Sequence, residues 1–228
     1  MEQQLISVAI DGPAAAGKST VAKKVAALLG FTYIDTGAMY RAVTWAVIKK
    51  GLDPKNEQQS ITLLPGMQIE LLADGRVICN EEDVTKVIRE PLVSGNVSYI
   101  AAMKPIRLAL VEMQRAMAQK KSVVMDGRDI GTYVLPMANV KIYQIATVET
   151  RAVRRYEENL SKGINTTLKQ VEEDVRNRDY IDSHREFAPL KPAVDSVLID
   201  TSFMTVEQAV DAVLKVIHDK TGIVIPCH

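Results

Sequence analysis

The chain has 228 residues, and its 28 Lys+Arg balance 28 Asp+Glu to a formal net charge of zero. With 47% hydrophobic and 25% charged residues, its composition is that of an ordinary globular protein. This argues against a disordered chain and against one that coats nucleic acid through a basic excess. No apolar run approaches the ~20 residues of a membrane span, and Met1-Glu2-Gln3-Gln4-Leu5 lacks the basic and apolar regions of a signal peptide. Cys79 and Cys227 match no metal or redox spacing. A cytoplasmic α/β protein is expected, with one domain or one domain carrying a smaller insert.

Residues 5–10 (LISVAI) read as a buried strand ending in the turn Asp11-Gly12-Pro13. A helix follows from Gly17 to Leu29, with Val21, Val25, Leu28 and Leu29 on one side and Gly30 as its stop. Residues 31–34 form a second strand, and Thr36 offers a cap for a helix running to Lys50. Between about 60 and 95 the pattern changes. Residues 67–72 and 76–79 read as strands around the hairpin turn Ala73-Asp74-Gly75, a small antiparallel insert. A helical stretch over 94–119 has its break at Pro105. Strands at 122–125, 140–145 and 197–199 then alternate with helices. One helix spans 148–160. A second opens with the capping box Thr167-Leu168-Lys169-Gln170 and runs to about Asp179. The last opens at Thr205 and stops near Gly222. Five short apolar strands alternating with helices predict a parallel sheet covered on both faces, a three-layer sandwich.

The strongest local signal is Gly12-Pro13-Ala14-Ala15-Ala16-Gly17-Lys18-Ser19, with Thr20 next. It fits GxxxxGK[ST] in the required place, after a strand and at a helix start. Small residues let the backbone curl around a phosphate, and the amides and the helix N-terminus supply positive potential. Lys18 brings a cation to the β- and γ-phosphates, and the Ser19 hydroxyl can join the shell of an ATP-bound Mg²⁺. No N/TKxD guanine-reading motif accompanies the loop.

In an open α/β sheet ligands bind beyond the carboxyl ends of the strands. Two further strand ends carry polar clusters, DTGAMYR at 35–41 and DGRDIGT at 126–132. Thr36, Tyr40 and Arg41 share the start of a helix, where the guanidinium can grip a phosphate monoester. Arg128 can neutralise phosphate, Asp129 can accept from a base amino group, and Asp35 or Asp126 can hold Mg²⁺ through water. In TRAVRR, Arg151, Arg154 and Arg155 share one helical face.

At this point the chain resembles the bacterial cytidylate kinases of the nucleoside monophosphate kinase superfamily. The matching motifs are IDGPAAAGKST at 10–20, DTGAMYRA at 35–42, DGRDIGT at 126–132 and NRDYIDSHREFAPLKPA at 177–193. They occur in the family's order over nearly the whole chain. The resemblance implies a P-loop kinase with a five-stranded parallel sheet. Its core would comprise residues 1–35, 116–150 and 164–228, a nucleoside-monophosphate region with the β insert 36–115, and a lid 151–163. It implies CMP contacts at Thr36, Tyr40, Arg41, Arg128, Arg178, Asp182 and Arg185, with Ser98, Arg107 and Asp129 reading cytosine. Some relatives have Ser where this chain has Thr36, a change that keeps the hydroxyl. Lys18, Arg128, Arg151 and Arg155 are the implied catalytic set, and Mg·ATP and CMP or dCMP the implied substrates of a monomer. Two alternatives stay open: a kinase for another acceptor such as UMP or AMP, and a non-catalytic nucleotide-binding switch.

Overall fold

In the computed structural model, which describes residues 5–225, the apolar segments become strands and helices close to the predicted bounds. Strand β1 (Ser7–Asp11) leads to helix α1 (Lys18–Leu29), and β2 (Thr32–Asp35) runs directly into α2 (Thr36–Lys49). The inserted region contains a single turn α3 (Glu57–Ser60) and three short strands, β3 (Ile69–Leu71), β4 (Val77–Cys79) and β5 (Glu82–Asp83). Helices α4 (Pro91–Ala102) and α5 (Lys104–Ala118) return the chain to β6 (Val123–Gly127) and β7 (Val140–Ile145). The chain then forms α6 (Val148–Ser161), α7 (Leu168–His184), β8 (Val197–Asp200) and α8 (Val206–Thr221). Residues 1–4, which carry the signal-peptide reading, and Cys227 lie outside the described residues.

The main sheet has the order β2-β6-β1-β7-β8, and every pairing in it is parallel. Its two faces are read from alternate residues of β1. Val8 and Ile10 pack with Val25 of α1 and Leu214 of α8, whereas Ala9 packs with Val111 of α5 and Ile130. Both faces are dry, which is why the strands read as continuous apolar runs. The strands β2 and β6 lie on one side of β1 and β7 and β8 on the other, so the order reverses about β1 and its C-terminal end is the topological switch point where such sheets bind ligands. The insert forms a separate antiparallel sheet of order β3-β4-β5. Its Ile69, Val77 and Cys79 share a core with Ala42, Val43 and Ala46 of α2, so the insert is seated on the helix that leaves the second strand.

Four local expectations are corrected. The cap of α2 is Asp35, whose carboxylate accepts from the Ala38 N–H at 2.8 Å. Thr36 instead donates its hydroxyl to the Asp126 carbonyl at 2.7 Å. The break in the long helical stretch falls at Met103, which is extended (φ −73, ψ 114), and Pro105 sits in the first turn of α5, where a missing N–H leaves nothing unpaired. Helix α7 continues past Asp179 to His184, which puts Arg178 and Asp182 on one helix. The insert has a third strand, β5, which is two residues long and both exposed, so no apolar alternation marked it.

Candidate functional site

The phosphate loop connects β1 to α1 and depends on backbone shapes that its small residues permit. A Cβ on Gly12 would lie 2.0 Å from the Gln144 carbonyl oxygen of β7, so only glycine fits there. Gly17 caps α1 with a left-handed backbone (φ 86). The loop's carbonyls are held from outside. Lys18 Nζ donates to Pro13 O at 2.7 Å, Arg151 Nη1 to Ala14 O at 2.9 Å, and Gln144 Nε2 to Ala16 O at 2.7 Å. Burial, with Arg128 nearby, holds the Lys18 ammonium well below its ordinary pKa. Ser19 donates to Asp126 Oδ2 at 2.8 Å, and the Tyr33 hydroxyl donates to Asp126 Oδ1 at 2.8 Å. Burial and the neighbouring Asp35 raise the Asp126 carboxyl.

Ala15, Ala16, Gly17, Lys18, Ser19 and Thr20 line one wall of a cleft of about 630 Å³. The opposite wall carries a concentration of arginines. Burial, together with Arg89, Arg155 and Arg128, pushes Arg41 down to about 10 against the pull of Asp35. Burial with Arg41, Arg128 and Arg155 pushes Arg178 down to about 9 against Asp182. The buried Nε atoms of both Arg41 and Arg178 have no hydrogen-bond partner. Like charges crowded this way, with unpaired donors, repel unless an anion joins them, and a phosphate carries the charge and the acceptor oxygens to do so. Asp182 is the local counter-charge. It accepts from Arg128 Nε at 2.8 Å, and Arg128, Arg178 and Arg185 overcome its burial and hold it below the usual carboxylate range.

Beside this cluster is a drier pocket. Arg107 is fully buried, donates from Nη1 to Ala101 O at 3.0 Å, and pairs through Nη2 with Asp129. Arg185 reaches the other oxygen of Asp129 at 3.2 Å. Ser98 and Tyr40 complete the wall, and burial pushes the Tyr40 phenol up to about 12. Tyr40 Oη and Arg107 Nε have no partner. A carboxylate, a guanidinium, a hydroxyl and a phenol in one dry space form a hydrogen-bonding set suited to the polar edge of a base.

Every acceptor-side residue predicted above lines the cleft, as do Arg154 and Arg155. Arg151 does not. It is buried beneath the loop, donating to the carbonyls of Ala14 and Ala146 and pairing with Asp179 at 2.5 Å, so its charge is already spent on protein groups. Gly12, Pro13 and Ala14 also lie behind the cleft wall and shape the loop. Sequence reasoning missed Arg89, which lines the cleft and pairs with Asp35 at 2.7 Å. It missed Asp11 as well, whose buried carboxylate accepts the N–H groups of Ile130 and Gly131 at 2.8 and 2.7 Å and so fixes the loop bearing Arg128 and Asp129. Burial pushes Asp11 up to about 7. Arg89 lies in none of the quoted motifs, and Asp11, although inside IDGPAAAGKST, precedes the GxxxxGK[ST] pattern whose spacing carries the chemistry.

A family model described as cytidylate kinase matches residues 8–219. The chain belongs to the cytidylate kinase family. Among curated relatives, the cytidylate kinase of Oceanobacillus iheyensis is 51% identical over 215 residues, covering 93% of this chain and 94% of that one. The cytidylate kinase of Lactiplantibacillus plantarum is 48% identical over 223 residues, covering 96% and 98%. Among solved structures, an uncharacterised protein from Eubacterium ventriosum aligns with a TM-score of 0.53 at 15% identity, over 95% of this chain and 99% of that one, a likeness of fold alone. The cleft is lined both by the phosphate loop and by the arginine cluster.

Proposed function

We propose that the chain transfers the γ-phosphoryl group of Mg·ATP to CMP or dCMP, giving ADP and CDP or dCDP. One observation carries this reading. The phosphate loop faces a second, independent arginine cluster across a single cleft, with a dry hydrogen-bonding pocket at the far end of that cluster. A switch or simple hydrolase has no use for the second cluster.

The acceptor phosphate is held by Arg41, Arg128 and Arg178, and the sugar and phosphate by Thr36, Asp182 and Arg185. Cytosine offers an N4 amino donor and N3/O2 acceptors. The Asp129 carboxylate suits the donor, and Ser98 and Arg107 suit the acceptors, so a base without that pattern leaves buried groups unpaired. An oxygen of the acceptor phosphate attacks the γ-phosphorus in line as the bond to the β-phosphate oxygen breaks. A phosphate monoester is already largely dianionic near neutral pH, its second pKa being about 6, so no protein base is required. Lys18, Arg154 and Arg155 offset charge on the transferring group, while Arg151 serves the loop from behind. Positioning and electrostatics therefore do the catalytic work. Ser19 and Asp126 offer the hard oxygen donors that would hold an Mg²⁺ bound to ATP, which would offset phosphate charge there.

Residues 36–115 are read as the acceptor-binding part, 151–163 as the lid and the remainder as the core. The protein is read as cytoplasmic, on the lack of any Cys-pair motif, and as a monomer, on the family resemblance; no helix among the described residues is long and apolar enough to cross a membrane. The test is a coupled ADP-release assay with Mg·ATP and each of CMP, dCMP, UMP, AMP, GMP and shikimate. Turnover confined to CMP and dCMP is expected. A preference for another acceptor refutes the base assignment, and ATP hydrolysis indifferent to every acceptor refutes the kinase reading.

A further inference from the structure

The peptide units around Ala14 are gripped from both sides by a pair of residues from two different helices. Asp179 of α7 accepts the Ala14 N–H through Oδ1 at 2.9 Å. Arg151 of α6 donates through Nη1 to the Ala14 carbonyl at 2.9 Å and to Asp179 Oδ2 at 2.5 Å, while its Nε is tied to the Ala146 carbonyl at 2.9 Å. Arg151 is 4% exposed, and Ala14 is 1% exposed. The next residue, Ala15, has a left-handed backbone (φ 58). A non-glycine residue holds that shape only when its surroundings impose it.

The C=O and N–H of a trans peptide point in opposite directions. With the Ala14 carbonyl committed to Arg151, the N–H of Ala15 is turned to the opposite side of the chain, and Ala15 lines the cleft. The pair also spans the two halves of the site. Asp179 follows Arg178 and lies three residues before Asp182, both on the acceptor wall. Arg151 lies three and four residues before Arg154 and Arg155, on the donor side. A displacement of α7 is therefore transmitted to the loop that carries ATP.

We infer that Asp179 and Arg151 are positioning residues that orient the Ala14–Ala15 peptide toward the ATP phosphates and fix the distance between donor and acceptor. The inference rests on the proposed phosphoryl transfer. The primary variant is Asp179→Asn, which keeps the shape and one acceptor but presents an NH2 group to the Arg151 guanidinium, donor against donor. Turnover is expected to fall about 10- to 100-fold, the size of effect an ångström-scale misplacement produces. KM for Mg·ATP is expected to rise about tenfold, as for one weakened charge-assisted hydrogen bond, while KM for CMP stays within about twofold of wild type on that same reasoning. The ratio of ADP released to CDP formed should rise above one, because a misregistered γ-phosphoryl group is lost to water. Arg151→Lys should retain part of the coupling that Arg151→Ala loses, and it serves as the second variant if Asp179→Asn does not fold.

A lower melting temperature with unchanged turnover, KM for Mg·ATP and ADP:CDP ratio would overturn the inference and leave the pair a fold contact. So would a rise in KM for CMP alone. If the wild type forms no CDP, the proposed function fails by itself. The inference is then read from Mg·ATP affinity by equilibrium titration, and an equal Kd in wild type and Asp179→Asn refutes it.

Discussion

Replacing Asp129 by alanine removes the one carboxylate shared by Arg107 and Arg185, and what remains can be counted. Arg107, fully buried, keeps only the Ala101 carbonyl at 3.0 Å, because its Nε already lacks a partner. Arg185 keeps the Ala188 carbonyl at 2.7 Å and a long contact to Ala101 at 3.4 Å. Breaking a buried ion pair by deleting one partner costs about 3–5 kcal/mol, since a charge is left uncompensated in a dry site. For a protein of this size that is a fall in Tm of roughly 6–20 °C. The assay is thermal unfolding of wild type, Asp129→Ala and the double variant Asp129→Ala/Arg107→Met. The double variant should recover part of the loss, because it removes the stranded charge rather than the fold. In steady-state kinetics below the transition, KM for CMP should rise about tenfold or more, the worth of a charged hydrogen bond, with KM for ATP nearly unchanged. A Tm within about 2 °C of wild type together with an unaltered KM for CMP would refute both the buried-pair argument and the base-reading role.

Three other outcomes follow from single observations. Arg178→Met should raise the Tm of the ligand-free protein, because it removes a charge that burial and the neighbouring Arg41 and Arg128 together push down to about 9. It should also raise KM for CMP about 10-fold or more through loss of a charge-assisted phosphate contact; a lower Tm in the ligand-free protein would contradict the repulsion. Gly12→Ala should abolish soluble folded protein or Mg·ATP binding, since its Cβ would meet the Gln144 carbonyl at 2.0 Å; normal Mg·ATP affinity by titration would contradict that packing. The pH test uses Asp11, raised by burial from an ordinary 3.8 to about 7. Between those values the folded state binds more protons at this site than the unfolded state, so this contribution to stability falls as pH rises, and the full penalty is present above 7. Urea unfolding at pH 5 and pH 7.5 should therefore show wild type losing stability relative to Asp11→Asn by roughly 1–4 kcal/mol. A difference independent of pH would mean that Asp11 does not titrate in this window.

The five parallel strands were legible because both sheet faces are dry, so each strand appears as a short apolar run punctuated by glycine or a cap. The phosphate loop was legible for another reason: its chemistry is written in eight consecutive residues. Contacts between distant segments were not. Asp179 and Ala14 are 165 positions apart, and Arg89 and Asp35 are 54 apart. No local pattern pairs them. TRAVRR gives an intermediate case. Helical spacing correctly puts its three arginines on one side of α6, yet Arg154 and Arg155 line the cleft while Arg151 turns beneath the loop toward Asp179. Which arginine meets ligand depends on where α7 packs, which periodicity does not encode. The cap of α2 was ambiguous because Asp35 and Thr36 are both good caps, and only the end of β2 decides between them.

The site's charged groups divide between those the fold stabilises, such as Asp182 held below its ordinary range and Arg128 raised above its own, and those it destabilises. Lys18, Arg41 and Arg178 are all held below their ordinary pKa values, and Asp126 and Asp11 above theirs, chiefly by burial. Each shift marks a charge that the fold destabilises. A site that stabilised itself fully with internal pairs would have little left to offer a substrate, because every guanidinium donor would be occupied. Here Asp35, Asp129 and Asp182 compensate Arg89, Arg107, Arg185 and Arg128, while the buried Nε donors of Arg41 and Arg178 have no hydrogen-bond partner. The destabilisation is thus concentrated where the acceptor phosphate is proposed to bind. Ligand that binds only the folded state adds about 2.7 kcal/mol at a concentration of 100 Kd. Part of that binding free energy here arises from relieving repulsion between the arginines. It follows that acceptor affinity should decline less steeply with ionic strength than at an exposed site, since buried charges are screened weakly, and that a change which neutralises the cluster should gain stability and lose affinity together.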